Sequence, residues 1–216
     1  MVNDIIVTRN TVVFLLLPEN LCDVQADLVF LMDTSSSIGR RDYNKEKQFV
    51  KDVARIFRIR DGGSRAATIL YNSQPNTVIK FSHHSSYEGF ARAVDKMPYL
   101  LGQTRIDRGL REANELFLSD ARSNAAKILL VLTDGKQTTD PDAINLRTAS
   151  QPLRDQGVQI LAIGVGHNIS MKEIHDMVDT RSHAFTPESF SELLKLSKTI
   201  AERACKSAGK AVHILL

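Results

Sequence analysis

The sequence predicts an α/β fold: a doubly wound, mostly parallel central sheet with one antiparallel edge strand and helices on both faces. Three observations lead there. Three short apolar runs, Leu28–Met32, Ile128–Leu132 and Ile160–Ile163, are nearly uniform rather than alternating, as strands buried on both faces are. Stretches with helical apolar spacing separate them. One further pair of β-rich runs is joined by turn residues and reads as a hairpin.

Taken in order, residues 1–21 come first. Thr11-Val-Val-Phe-Leu-Leu-Leu17 is a short apolar core preceded by Arg9, which suggests a leader. The acidic Asp4, the shortness of the run and the lack of a small-x-small cleavage site argue against one. A truncated leader and the end of a preceding domain fit equally well. The folded domain is placed at 22–205, with 206–216 as a C-terminal tail.

After the first strand, Phe49, Val50, Val53, Ile56 and Phe57 share one helical face. Ala67–Tyr71 and Thr77–Phe81 form the hairpin, joined by Asn-Ser-Gln-Pro-Asn, so one strand should run antiparallel at an edge. Ile106, Leu110, Ala113, Leu116 and Phe117 mark a helix before the second long strand. Pro152 should kink or break the helical pattern at Ala143–Leu153. A short strand is expected near His183–Phe185. The last helix carries Phe190, Leu193, Leu194, Ile200, Ala201 and Ala204 on one face and is expected to end at Cys205.

Composition narrows the function classes. A chain of 216 residues holds one sizeable core, and 43% hydrophobic with 25% charged residues is globular rather than disordered. The net charge of +3 is spread without a Lys/Arg block, so neither nucleic acid nor an anionic membrane is indicated as a partner. No apolar run reaches the roughly 18 residues of a membrane helix. The two cysteines, Cys22 and Cys205, bracket the folded part and have no metal-ligand spacing. Two buried thiols or a terminal disulfide made in an oxidising compartment both fit that placement.

In an open α/β sheet, ligands bind beyond the carboxyl ends of the strands. The first strand runs into Asp33-Thr-Ser-Ser-Ser37, the second long strand into Thr133-Asp134-Gly135, and Gly102-Gln-Thr104 opens a helix between them. These segments deliver oxygen donors without His or Cys. Hard oxygen ligands select Mg²⁺ or Mn²⁺, with Ca²⁺ as a further candidate, over softer metals. Ser, Thr and Asp also cap helices and close turns, so the first motif alone would decide nothing.

Asp33-x-Ser35-x-Ser37, Thr104 and Asp134 together resemble, in order, the metal-ion-dependent adhesion site of von Willebrand factor type A and integrin I domains. The similarity covers about residues 23–205. It implies a Rossmann-like fold, Ser35, Ser37 and Thr104 as direct ligands in one or another state, and Asp33 and Asp134 holding the shell. Leu101 and Asp107 stand where the family often has a glycine and a small residue, which bears on the shape of the threonine loop. The short connection between Gly164-Val-Gly166 and Met171 leaves no room for the extra helix of collagen-binding integrin I domains. With its terminal cysteines the chain looks more like the type A domains of secreted matrix proteins such as matrilins and collagen VI.

The resemblance therefore implies a secreted, non-enzymatic adhesion module of the extracellular matrix. Its partner would be a matrix protein, collagen being one candidate, that offers an acidic side chain to the ion. An intracellular type A domain in a larger assembly is the rival. Enzyme readings fare worse. A haloacid-dehalogenase phosphatase needs a second Asp where Ser35 stands. Gly164-Val-Gly-His lacks the third glycine of a dinucleotide loop, and a nucleophile elbow is missing. His83 and His84 read as an exposed loop pair, and His175 and His183 have no metal-ligand spacing. Asn168-Ile-Ser170 is an N-glycosylation sequon expected on the metal face.

Overall fold

The computed structural model describes residues 22 and 24–214, with side chains through residue 209, and two short strands near the N-terminus, β1 (Ile6–Thr8) and β2 (Thr11–Val13). These two strands pair antiparallel. The reading of Thr11–Leu17 as a leader core lies largely outside the described residues.

The main sheet has six strands in the order β5-β4-β3-β6-β7-β8. They are β3 (Ala26–Asp33), β4 (Arg65–Tyr71), β5 (Pro75–Ile79), β6 (Ala126–Thr133), β7 (Gln159–Gly164) and β8 (Ala184–Phe185). All neighbours are parallel except β4 and β5, so the antiparallel strand stands at an edge as expected. β5 starts at Pro75, inside the expected turn, because a proline without N–H is tolerated at the first position of an edge strand.

Every residue of β3 is buried, and its side chains alternate between two cores. Leu28, Phe30 and Met32 face one layer, with helices α1 (Arg40–Ile56), α2 (Tyr87–Asp95) and α6 (Phe190–Ile214). Val29 and Leu31 face the other, with α3 (Ile106–Asp120), α4 (Leu146–Asp155) and α5 (Met171–Met177). Burial on both sides is why these strands read as uniform apolar runs.

Two expectations are corrected. Pro152 does not break its helix: α4 starts at Leu146 and runs through the proline to Asp155. The carbonyl that the missing N–H would have served belongs to Thr148, which is exposed, and Pro152 is exposed as well. Water can therefore satisfy that carbonyl, and the buried stripe of Leu146, Ala149 and Leu153 holds the helix in place. The last helix does not end at Cys205 but continues to Ile214. Ala201, Ala204 and Ala208 form one buried small-residue stripe, and packing carries the helix past the cysteine.

Candidate metal centre

β3 connects through α1 to β4 on one side, whereas β6 lies on its other side, so the winding reverses between β3 and β6. At such a point the loops leave in opposite directions and open a crevice. Asp33 ends β3, Thr133 ends β6 beside it, and Asp134 follows.

The side chains there form a chain of oxygen atoms. The backbone N–H of Ser35 donates to Asp33 Oδ1 at 2.8 Å, the hydroxyls of Ser35 and Ser37 lie 2.9 Å apart, and Ser37 donates to Asp134 Oδ1 at 2.6 Å. Asp33 and Ser35 are buried, Asp134 is half-buried and Ser37 is exposed, so the chain runs from the interior to the surface. Thr104 joins it from a third segment: its hydroxyl is the nearest atom, at 4.0 Å, to the point where a Cβ on Gly135 would stand. Hydrogen bonds thus link Asp33, Ser35, Ser37 and Asp134, and Thr104 stands close to the loop that carries Asp134.

Two hydroxyls from neighbouring strands support Asp33. Its Oδ2 accepts from the Tyr71 hydroxyl at 3.2 Å and from Thr133 at 3.0 Å. Tyr71 also donates to the Leu132 carbonyl, locking the carboxylate to the sheet. Burial raises the Asp33 carboxyl to about 6, partly offset by the donors at Ser35, with the charge of Asp134 adding to the rise. Burial likewise raises Asp134, against the opposing hydrogen bond from Ser37. Both acids therefore stand in surroundings that a nearby cation would ease.

The Thr104 loop is held by residues whose role the spacing did not disclose. Thr104 N–H donates to Thr138 Oγ1 and its carbonyl accepts from Thr138 N–H. The fully buried Arg105 forks onto Asp107 at 2.9 and 3.0 Å and reaches Asp140 and Asp142. Asp107, which departs from the family pattern, thus anchors an arginine instead of disturbing the loop. Its backbone N–H donates to Gln137, and its carboxylate also accepts from Ile144 N–H. Leu101, the other departure, is exposed; Asn72 donates to its carbonyl, and the next residue, Gly102, takes a φ of +149 while exchanging hydrogen bonds with Ser36.

Glu46 was not foreseen. It lies on the buried stripe of α1, and neither carboxylate oxygen has a hydrogen-bond partner. Burial pushes its carboxyl well above the ordinary range, and the charges of Asp33 and Asp134 push it further. Stepping back three residues from Phe49 and four from Val50 would have put this acid on the apolar face.

The remaining candidates are scattered. Asn168 is exposed and lines, with Asp134, Asp42, Lys45 and Glu188, a concavity of about 320 Å³ beside the site. His83 is exposed, and His183 meets Ser207 at 3.2 Å. Cys22 and Cys205 are joined by a disulfide with a Cα separation of 5.8 Å. Among the described residues no three His, Cys, Asp or Glu side chains gather closely enough to hold an ion.

The model of the von Willebrand factor type A domain matches residues 27–199. The chain belongs to that family. As a type A domain it is 30% identical over 185 residues to Cuticlin-6 of Caenorhabditis elegans, covering 84% of this chain and 31% of that protein. It is 28% identical over 200 residues to the human collagen alpha-6(VI) chain, covering 88% of this chain and 8% of the collagen. The chain thus spans under a third of either relative. Among solved structures, proximal thread matrix protein 1 from the mussel byssus, with a zinc-occupied MIDAS motif, superposes with a TM-score of 0.78. It is 29% identical, with 86% of this chain and 47% of that one covered. A type A domain from Catenulispora acidiphila, at 19% identity and a TM-score of 0.69, shares the fold.

Proposed function

We propose that this domain is an extracellular, non-enzymatic adhesion module. It holds Mg²⁺ or Mn²⁺, with Ca²⁺ as a further candidate, on Ser35, Ser37 and Thr104, steadied by Asp33 and Asp134. Through the ion it takes a Glu or Asp carboxylate of a matrix protein, collagen being one candidate. The observation that carries this reading is the oxygen chain from buried Asp33 through Ser35 and Ser37 to Asp134, open to solvent at Ser37. Neutral hydroxyls dominate it, so an ion held there keeps enough positive charge to attract an acid from outside. The zinc-occupied MIDAS motif of the mussel protein supports a divalent cation at such a motif.

The placement outside the cell draws support from relatives named as collagens and cuticlin, and from the disulfide, a bond rare in reducing compartments. The disulfide also weighs against the rival intracellular assembly module. The non-enzymatic reading draws support from the same relatives, which are named as structural proteins of collagen and cuticle.

Titration calorimetry tests the site. Mg²⁺ and Mn²⁺ should bind wild type, and Asp33→Ala or Asp134→Ala should weaken both at least tenfold with an unchanged circular dichroism spectrum. The core does not depend on the ion, so the fold should survive. Equal affinity in all three proteins would reject the site. Where wild type adheres to a collagen film, EDTA should release it and Mg²⁺ restore it.

A further inference from the structure

We propose that Glu46 is a third acidic determinant of the cation site, a carboxylate set beneath the ligand shell whose charge acts on the ion through the protein interior. The inference rests on the metal-binding reading above. Four acids are fully buried among the described residues: Asp27, Asp33, Glu46 and Asp107. Asp27 is paired with Arg65 and Arg122, and Asp107 with Arg105. Asp33 accepts from Tyr71, Thr133 and the Ser35 N–H. Glu46 differs from the other three, since neither of its oxygens is hydrogen-bonded.

A buried carboxyl without a partner is among the costliest arrangements in a folded chain, and each instance calls for an explanation. Nothing in the packing requires an acid there. Tyr43, Glu46, Phe49, Val50 and Val53 share the buried stripe of α1, where an apolar side chain would fill the same space.

Helix geometry shows where the carboxylate is aimed. α1 begins at Arg40, directly after the Ser35–Ser37 loop. Side chains on an α-helix lean toward its N-terminus, so the long side chain of Glu46 points back toward that loop and the end of β3. The backbone amide of Asp33 faces it without meeting hydrogen-bond geometry, and the charges of both Asp33 and Asp134 reach it. Among the described residues, Glu46, Asp33 and Asp134 do not gather closely enough to form a three-acid site of their own. A divalent ion on the hydroxyl shell would lie within the field of three carboxylates, not two, and only weakly screened by the low-dielectric interior. Glu46 therefore trades stability of the ion-free fold for affinity toward the ion.

The test uses the full chain as wild type, Glu46→Gln, Glu46→Val and Asp134→Ala, with thermal melts in EDTA and calorimetry with Mg²⁺ and Mn²⁺. Glu46→Val, which removes the unpartnered polar group, should melt higher than wild type in EDTA, and both variants should bind either ion at least tenfold more weakly. The rise in Tm on adding Mg²⁺ should shrink in both. If they bind as tightly as wild type while Asp134→Ala does not, the inference is wrong and the site stands. If only Glu46→Val weakens binding, the side chain acts by its shape or its hydrogen-bonding capacity, and the charge proposal is overturned. If Asp134→Ala also binds normally, the metal reading fails and takes this inference with it.

Discussion

Asp27 lies at the amino end of the sheet, opposite the metal centre, and shows how single residues divide stability from function. Arg65 meets its carboxylate at 2.6 and 2.9 Å, and Arg122 meets it through both backbone N–H and side chain at 2.7 Å. Burial works to raise this carboxyl, but the hydrogen bonds of Arg65 and then Arg122 prevail and hold it below its ordinary value. A depressed folded pKa contributes stability that is present above the unfolded value, about 3.9, and lost as pH falls through the folded one. Asp27→Asn should therefore cost about 3 kcal/mol near neutral pH, the low end for breaking a buried pair, because both arginines keep some water contact. The difference from wild type should narrow below about pH 4. Urea melts of both proteins across that range check this, and a gap constant with pH would contradict it.

Among the described helices α6 is the longest. It packs along α1 on one face of the sheet, and its stripe of Ile200, Ala201, Ala204 and Ala208 is buried. The disulfide grips it in mid-course, because Cys205 has nine helical residues beyond it. Its partner Cys22 donates its backbone N–H to the Ile56 carbonyl at the end of α1. The bond thus ties α6 to α1 and to the entry of β3, and it closes a loop of 183 residues. The chain-entropy model assigns such a loop about 5 kcal/mol, with measured values commonly about 2–4. At about 2–4 °C per kcal/mol for a domain this size, Cys22→Ser/Cys205→Ser should lower Tm by roughly 5–15 °C. Differential scanning calorimetry of wild type, with and without reductant, and of the double variant reads this directly. A Tm that ignores both changes would leave the bond without a stabilising role. In integrin I domains, affinity is linked to a shift of the last helix. A covalent tether in mid-helix should limit such a shift, since a disulfide tolerates little change in Cα separation.

At the scale of the whole molecule, the two ends of the sheet do different things. The amino end holds the Asp27 cluster and the disulfide region; the carboxyl end holds the oxygen chain, the Arg105 network and the sequon. Asn168 is exposed in a loop at the carboxyl end and shares a concavity with Asp134, so a glycan there would stand beside any captured ligand. Expression through a secretory route should yield a protein whose mass falls on N-glycosidase digestion, with no such fall in Asn168→Gln. Its cysteines should label only after reduction. A secreted wild type of unmodified mass would remove Asn168 from the picture, and thiols that label without reductant would argue for an intracellular home. Among the described residues no helix is long and apolar enough to cross a membrane.

Much of this was legible in the chain itself. β3, β6 and β7 announced themselves because burial on both faces leaves an apolar run with no polar alternation. Asp33, Ser35, Ser37, Thr104 and Asp134 were expected at one site because, in order, they resemble the adhesion motif of the type A family and stand at the edge where ligands bind. What sequence alone did not determine depends on contacts between distant segments. Pro152 sits within a helix because its freed carbonyl happens to face water, and α6 outruns Cys205 because a stripe of alanines finds α1 and the sheet. The pairing of Arg105 with Asp140 and Asp142, and of Asp27 with Arg65 and Arg122, crosses from 35 to 95 residues of chain. Glu46 was hidden for the same reason. Local spacing places a residue on a helix face, but only the packed fold decides which face is cut off from water and which charges it must then live beside.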